Sequence, residues 1–347
     1  MNFFLPGGAG YIGVHIALML LEHGHEVVIL DNFSNSDPKA IESLEHLADK
    51  KITFYQGSIG DEIKLKQIFR ENHFDAVIHL AALKSVSESI LQPIEYYNNN
   101  CVGTSCLLSV MRSFGIKNLI FSSSATVYGV PKYLPIDENH PLSSINPYAE
   151  TKLQIEQELS KITQEEEDWK IVCLRYFNPV GAHKSGLIGE SPQGIPNNVM
   201  PLIVNVANKE LSHINIYGDD YDTIDGTGVR DYIHVMDLAE SHLLALNFIG
   251  VQTLVNSYAP NLEVETQDFN IFNVGTGKGH SVLELITAFE EINNIKVPYK
   301  FTLKRPGDVA SCFADVSLST KAFQWTAKRS IEEMCSSAWN FKITQNE

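Results

Sequence analysis

The sequence is short of positive charge and of cysteine, and it has no long apolar run. Against 42 acidic residues it sets 26 Lys and Arg, a formal net charge of −16. The long-range field of such a chain repels polyanions, which argues against general binding to nucleic acid or to an anionic membrane surface and leaves only a local basic pocket open. Its five cysteines, Cys101, Cys106, Cys173, Cys312 and Cys335, are odd in number, scattered, and form no Cys-x-x-Cys pair. That spacing argues against a zinc site and a disulfide framework and fits a reducing, cytoplasmic compartment. No uninterrupted apolar span reaches membrane length. The opening stretch predicts no signal peptide: the first Lys or Arg is Lys39, His15 and four glycines interrupt the apolar run, and Leu21-Glu22-His23 is no cleavage site. What is there, 347 residues with 44% apolar and 20% charged, predicts an acidic globular protein with a substantial core and room for about two domains.

Apolar runs at Asn2–Leu5, Glu26–Leu30, Ile52–Gln56, Ala76–Leu80, Asn118–Ser123 and Lys170–Phe177 read as buried strands. Between them lie helix-length segments at Tyr11–His23, Pro38–Ala48, Asp61–Glu71, Pro93–Phe114 and Pro147–Thr163. Strands separated by such crossovers predict a parallel sheet with helices on both faces, a doubly wound α/β domain. After Phe177 the rhythm changes to longer Gly-, Pro- and Asn-rich loops with shorter strands and helices, which places a boundary near residue 178 and a smaller α/β region beyond it. Val251–Thr266, with Pro260 and several polar residues, reads as a surface insertion. The acidic run Glu165–Asp168 reads as a solvated helix end.

Gly7-Gly8-Ala9-Gly10-Tyr11-Ile12-Gly13 follows a short apolar strand and opens a helix. Glycines in that context permit a tight turn and close approach of a pyrophosphate, whose charge meets the free N–H groups of the helix N-terminus. The second apolar run ends at Asp31, 18 residues past Gly13, where a carboxylate accepts ribose hydroxyls and repels a 2′-phosphate, favouring NAD over NADP.

Two Tyr-x-x-x-Lys pairs occur, Tyr128/Lys132 and Tyr148/Lys152. Gly129 and Pro131 make the first a turn. The second follows Asn146-Pro147, a helix start, and its spacing puts phenol and ammonium on one face. A free tyrosine, with a pKa near ~10, is a poor base at neutral pH; a neighbouring ammonium and a positive nicotinamide ring would stabilise its phenolate. Upstream, Ser122-Ser123-Ser124 ends a predicted strand at the edge where open α/β folds place ligands. Taken singly, the Tyr/Lys pair better suits a solvent-facing helix pair and the serines a polar turn. His79, His183 and His234 match no metal-ligand spacing and read as packed or loop histidines.

With these residues in order, the chain resembles the extended short-chain dehydrogenase/reductases, and within them the UDP-glucose 4-epimerase family. The matching stretches are GGAGYIG (7–13), DN (31–32), VIHLAALK (77–84), SSSATVYG (122–129), YAETK (148–152), LRYFNPVGAH (174–183), PQGIPNN (192–198), DGTGVRDYIHVMDLA (225–239) and RPGD (305–308). The resemblance implies a Rossmann domain over 1–177, rejoined by segments around 234–275, and a mainly UDP-sugar-binding region over 178–347. It implies inversion at C4 of a UDP-hexose through a transient 4-keto sugar, with NAD retained, in a homodimer joined through Pro93–Phe114 and the helix beginning at Pro147. Ser124, Tyr148 and Lys152 would form the catalytic set. Gly7, Gly10, Tyr11, Ile12, Gly13, Asp31, Asn32, Asn35, Ser58, Ile59, Leu80, Ala81, Lys84, Asn99 and Phe177 would join Tyr148 and Lys152 around NAD. Asn178, Asn198, Tyr217, Arg230, Arg305, Asp308 and Cys312 would join Ser124 and Tyr148 around the UDP-sugar.

The outer residues suit that ligand on their own chemistry, since guanidinium groups clamp phosphates bidentately. Each arginine alone better suits a surface ion pair, while Asn178 equally suits a turn and Asn197 or Asn198 the cap of a helix over 199–207. A nucleotide-sugar dehydratase would need a carboxylate pair where Ala125 and Thr126 stand. A uronate-type 4-epimerase and an NAD-binding regulatory protein without turnover are the other readings. Three positions depart from the resemblance. Pro6 replaces the usual Thr, Ser58 replaces the Asp that contacts adenine, and Cys312 replaces the bulky Tyr of members confined to UDP-glucose and UDP-galactose. The first two predict looser NAD retention; the third predicts room for UDP-GlcNAc and UDP-GalNAc.

Overall fold

The computed structural model describes residues 1–194, 196, 198–253, 265–305 and 307–345. Its first half alternates strictly. In chain order the elements are β1 (Asn2–Pro6), α1 (Tyr11–Glu22), β2 (Glu26–Asp31), α2 (Lys39–Ala48), β3 (Thr53–Gln56), α3 (Glu62–Glu71) and β4 (Ala76–His79). Two short helices follow, α4 (Val86–Leu91) and α5 (Pro93–Tyr96), then a π-helical turn at Tyr97–Val102 and α6 (Gly103–Ser113). Beyond these come β5 (Asn118–Ser124), a 3₁₀ turn at Ala125–Tyr128, α7 (Pro147–Glu165) and β6 (Lys170–Tyr176). The expected Pro93–Phe114 helix is thus one helical run interrupted by a π turn, and α4 is an addition to the expected elements.

The chain then leaves the sheet through β7 (Asn178–Val180), α8 (Val199–Ala207), β8 (Ile214–Tyr217) and β9 (Val229–His234). It returns as α9 (Val235–Phe248) and β10 (Phe269–Val274), and finishes with β11 (Gly279–Ser281), α10 (Val282–Asn293), β12 (Tyr299–Thr302), β13 (Ser311–Cys312), α11 (Ser317–Phe323) and α12 (Ile331–Gln345). Seven strands form one parallel sheet in the order β10-β6-β5-β4-β1-β2-β3. The chain begins at β1, works outward through β2 and β3, then crosses to β4 on the other side, so the strand order reverses beside β1. Open α/β sheets bind ligands outside the carboxyl ends at such a point.

The apolar strands read as continuous runs because both sheet faces are covered. Phe3, Leu5, Val27 and Ile29 pack on one side with α1 and α9, while Phe4, Val28, Leu30 and Phe121 pack on the other with α3, α6 and α7. A separate core of Met200, Ile203, Ile216, Leu285, Phe289 and Met334 supports the smaller region. There β9 pairs with β7, β11 and β13, and β8 pairs with β12. The stretch expected as a surface insertion begins in the interior: Val251 and Thr253 are buried, and His25 Nε2 lies 2.6 Å from the Thr253 carbonyl. Its remainder over 254–264 lies outside the described residues. The acidic helix end is partly paired, since Glu166 takes a 2.6 Å contact from Arg112.

Candidate functional site

A cleft of about 490 Å³ opens at the carboxyl ends of β1 to β6. At its floor Gly7 has φ +81°, and a Cβ there would stand 2.5 Å from the Ala81 backbone nitrogen. A Cβ on Gly13 would stand 2.6 Å from the Gly8 Cα. Only glycine admits these approaches of β1, β4 and α1. Gly10 is the N-cap of α1 without a side-chain cap, and the first turn holds no acidic residue. The helix therefore presents its free N–H groups and positive dipole end to the cleft, an anion site in its own right. Pro6 occupies the last position of β1, where its carbonyl accepts from Leu80 N at 2.9 Å.

Asp31 ends β2 with a nearly buried carboxylate. It accepts from Ala9 N at 3.1 Å, Phe33 N at 2.9 Å and the Ser36 hydroxyl at 2.8 Å. Those bonds fix its orientation: two fall on Oδ1 and one on Oδ2, which retains acceptor capacity for a further hydroxyl. Asn32, Asn35, Ser58, Ile59, Leu80, Ala81, Lys84, Asn99 and Phe177 line the same cleft. Asn99 reaches it from the π turn, which is pinned by buried Asn100: its side chain accepts from Leu83 N at 2.8 Å and donates to Leu83 O at 3.0 Å and Thr151 Oγ1 at 3.1 Å. A π turn of this kind commonly marks a functional position.

On the far wall, α7 begins at Pro147 with Asn146 capping Ala149 N at 2.9 Å. This start directs Tyr148 and Lys152 at the end of β5. Lys152 is buried, its ammonium donating to the Ser122 carbonyl at 2.6 Å and lying 5.9 Å from the Tyr148 ring centroid. Ser124 Oγ accepts from Thr126 N at 3.3 Å and Thr126 Oγ1 at 3.0 Å, and the Ser124 hydroxyl acts on the Tyr148 phenol in the sense that favours its phenolate. Burial disfavours the charged form of both partners. It pushes Tyr148 up to about 12, opposed by the Ser124 hydroxyl, and Lys152 down to about 8, opposed first by Glu156. Tyr128 of the other Tyr/Lys pair is fully buried, its hydroxyl donating to Asn273 Oδ1 at 2.6 Å.

The smaller region forms the remaining rim. Asn178, Asn198, Arg230, Asp308 and Cys312 line the cleft. Arg230 and Cys312 are register partners on β9 and β13 and so share one face. Tyr217 and Arg305 lie one step removed: the Arg305 guanidinium stacks 4.4 Å over the Tyr217 ring and donates to Asp308 at 2.9 Å. Asn198 sits at the N-cap of α8 without capping it and donates instead to Glu190 at 2.8 Å. Glu190, which sequence reasoning missed, also lies 3.7 Å from Lys84, joining residues expected on the cofactor and sugar sides. No spacing signal singled it out. Asn197 lies outside the described residues. His79, His183 and His234 bond Thr104, Ser185 and Ser337 respectively.

A family model described as GDP-mannose 4,6 dehydratase matches residues 4–338. UDP-glucose 4-epimerase of Bacillus subtilis (strain 168) is 46% identical over 342 residues, covering 99% of this chain and 97% of the relative. Among solved structures, the UDP-glucose 4-epimerase of Stenotrophomonas maltophila, with bound NAD and formylated UDP-arabinopyranose, superposes with a TM-score of 0.93 at 43% identity, covering 100% of this chain and 99% of that one. The enzyme of Bifidobacterium longum in complex with NAD+ and UDP gives 0.92 at 44% identity over 100% and 99%.

Proposed function

The chain belongs to the UDP-glucose 4-epimerases, within the extended short-chain dehydrogenase/reductases, and from that membership we propose that its cleft inverts C4 of a UDP-hexose with NAD as resident cofactor. The observation that carries the reading is the convergence of Ser124, Tyr148 and Lys152 on the same cleft as the glycine loop and Asp31. The residues fit the cofactor: Gly7 and Gly13 leave a cradle that a Cβ would fill, and α1 offers an uncapped N-terminus to a pyrophosphate. Gly7, Gly10, Tyr11, Ile12 and Gly13 would hold that pyrophosphate, Asp31, Asn32 and Asn35 the ribose side, Ser58 and Ile59 the adenine side. Leu80, Ala81, Lys84, Asn99 and Phe177 would complete the site. When bound, NAD supplies acceptance of a hydride from C4 and its return, so the reaction has no net redox change.

Tyr148 takes the proton of the sugar 4-hydroxyl and later gives it back to the same oxygen. The Ser124 hydroxyl shares that proton, and the Lys152 ammonium contributes positive charge beneath the phenol. Arg230 clamps the diphosphate, while Asn178, Asn198, Tyr217, Arg305 and Asp308 anchor the nucleotide end. This remote binding holds the 4-keto sugar while rotation about its bonds to the diphosphate presents the opposite face. Ala125 and Thr126 line the cleft where a dehydratase needs its acid and base, and neither performs that proton chemistry.

Cys312 favours a wider substrate range. Beside Arg230 and facing the cleft, its small side chain leaves room for a 2-acetamido group, so UDP-GlcNAc and UDP-GalNAc join the substrates. We assign the cofactor half to 1–177 with 234–275 and the sugar half mainly to the rest of 178–347. The exposed Ile90, Leu91, Ile94, Tyr97 and Val102 support a homodimer joined through this face, and five free thiols suit a cytoplasmic enzyme. Chromatography of UDP-galactose incubated with purified protein tests the reading. UDP-glucose must form, and must not form with Tyr148→Phe; absence of product from the wild-type protein overturns it in favour of a uronate-type epimerase or a regulatory role.

A further inference from the structure

Two successive residues of β5 are tied to positions four apart on α7, and the third shares a cleft with the position one turn before them. Lys152 donates to the Ser122 carbonyl at 2.6 Å and the Ser123 hydroxyl donates to Glu156, while Ser124 and Tyr148 line the same cleft. The spacing of Tyr148, Lys152 and Glu156 places all three on one helix face. Glu156 is gripped from the other side by Arg175, with Nε to Oε1 at 3.0 Å and NH2 to Oε2 at 2.6 Å. Arg175 is the register partner of Ser123 on the neighbouring strand, so the two reach the carboxylate from one sheet face. Its remaining nitrogen donates to Tyr128 OH at 3.0 Å. Both charges are almost wholly buried, at 1% and 3% exposure.

A buried ion pair adds little stability over an apolar pair of the same volume, so it calls for another explanation. We infer that Glu156 is a positioning residue of the catalytic set, holding α7 against the end of β5 and keeping Lys152 charged beneath Tyr148. This rests on the assignment of Ser124, Tyr148 and Lys152 made above. The other titratable groups around Lys152 do not supply its counter-charge. Cys101 faces it from the π turn and Cys173 from β6, and burial pushes both thiols up, away from the thiolate. His79 on β4 has its imidazole pushed down to about 3, first by burial and then by Lys152 itself. Tyr148 is also held neutral by burial, and Arg175 carries the wrong sign. Glu156 is the carboxylate one turn along the same face of α7 from Lys152, and Arg175 and Ser123 hold it in place. With Lys152 and Arg175 positive against Glu156, the cluster keeps a net positive charge under the phenol.

The test follows Lys152 itself by carbon NMR titration of its Cε resonance in NAD-loaded protein, assigned through loss of the signal in Lys152→Met, alongside the pH profile of kcat on UDP-galactose. In Glu156→Gln, Lys152 releases its proton at a pH lower by about one unit or more, the alkaline limb of kcat moves the same way, and KM stays within about twofold. Glu156→Asp, which keeps the charge, leaves both titrations near the wild type. Since Glu156→Gln strands the Arg175 charge, Glu156→Gln/Arg175→Met removes the pair together and must shift Lys152 in the same direction. Ser123→Ala leaves the ion pair in place and must lower kcat by about threefold at unchanged KM. An unchanged Lys152 titration in either folded Glu156 variant, or an unchanged kcat in Ser123→Ala, overturns the inference. A wild-type protein that fails to epimerise UDP-galactose overturns the functional reading instead, and the NMR titration still decides the link between Glu156 and Lys152.

Discussion

Replacing Lys152 by Met should make the NAD-free protein more stable while abolishing turnover. The ammonium is buried, and its pKa is lowered from 10.5 to about 8, desolvation being the largest cause. At about 1.4 kcal/mol for each unit, the charged form burdens the fold by about 3 kcal/mol at neutral pH. Losing the hydrogen bond to the Ser122 carbonyl offsets about 1 kcal/mol of that gain, which leaves about 2 kcal/mol in favour of the Met variant. The sign with pH follows from proton counting. Between about pH 8 and 10.5 the unfolded chain holds a proton on Lys152 that the folded one has released, so wild-type stability rises with pH across this window. The variant lacks the group and does not share that rise. Its advantage is therefore full below about pH 8 and shrinks as pH increases toward 10.5. Urea unfolding of both proteins at pH 7 and pH 10 measures it, the difference between them cancelling every other titration. A Met variant that is no more stable at pH 7, or whose advantage is the same at both pH values, would refute the reasoning.

Cys312→Tyr should spare UDP-galactose turnover and suppress conversion of UDP-GalNAc, read by chromatography of the two reactions; equal loss of both sinks the space argument. The wild-type protein should lose NAD on extended dialysis, because Ser58 offers one hydroxyl where the resemblance expects a carboxylate, and its Oγ already accepts from Gly60 N at 3.2 Å. Ser58→Asp should tighten retention by about tenfold, as one charge-assisted hydrogen bond allows; stoichiometric NAD in dialysed wild type contradicts this. Gly7→Ala forces a Cβ to within 2.5 Å of the Ala81 backbone at φ +81°. It should weaken NAD binding by tenfold or more, about 1.4 kcal/mol at the least, measured by calorimetry. Undiminished affinity would mean the loop does not need that approach.

The strands and major helices around the seven-stranded sheet were legible because burial on both sheet faces writes uninterrupted apolar runs, separated by helical segments with recognisable starts at Asn146-Pro147 and Asp61. What stayed hidden depends on tertiary contact. The π turn at Tyr97–Val102 has no local signature; it is pinned by Asn100 reaching Leu83 and Thr151, which lie far off in sequence. Asn198 stands where a cap should be, yet Glu190 draws its side chain away. The positions of Tyr148 and Lys152 were readable from helical spacing, while their charge states were not, since desolvation depends on what packs around them. Glu156 continues that spacing by one more turn, but its Arg175 partner arrives from a separate strand.

Burial acts on Tyr148 and Lys152 in the same sense, favouring the neutral form of each, so the protein alone holds the phenol proposed as base in its protonated state. A phenol pushed up to about 12 is protonated throughout the physiological range. Further positive charge would lower it, as a cationic cofactor ring would if bound in the cleft that Tyr148 and the glycine loop both line. In a medium of effective permittivity ~20, a unit charge ~5 Å away is worth about 3 kcal/mol, equivalent to about two pH units. The same charge disfavours protonated Lys152, which gives the Glu156 carboxylate its purpose: it opposes that loss while Arg175 keeps it in place. The phenolate ultraviolet absorbance of Tyr148, isolated by subtracting Tyr148→Phe, should accordingly titrate about two pH units lower in NAD+-loaded protein than in NAD-free protein. Equal titrations in the two forms would mean that the phenol is activated by something other than charge, and that burial alone does not keep the base latent.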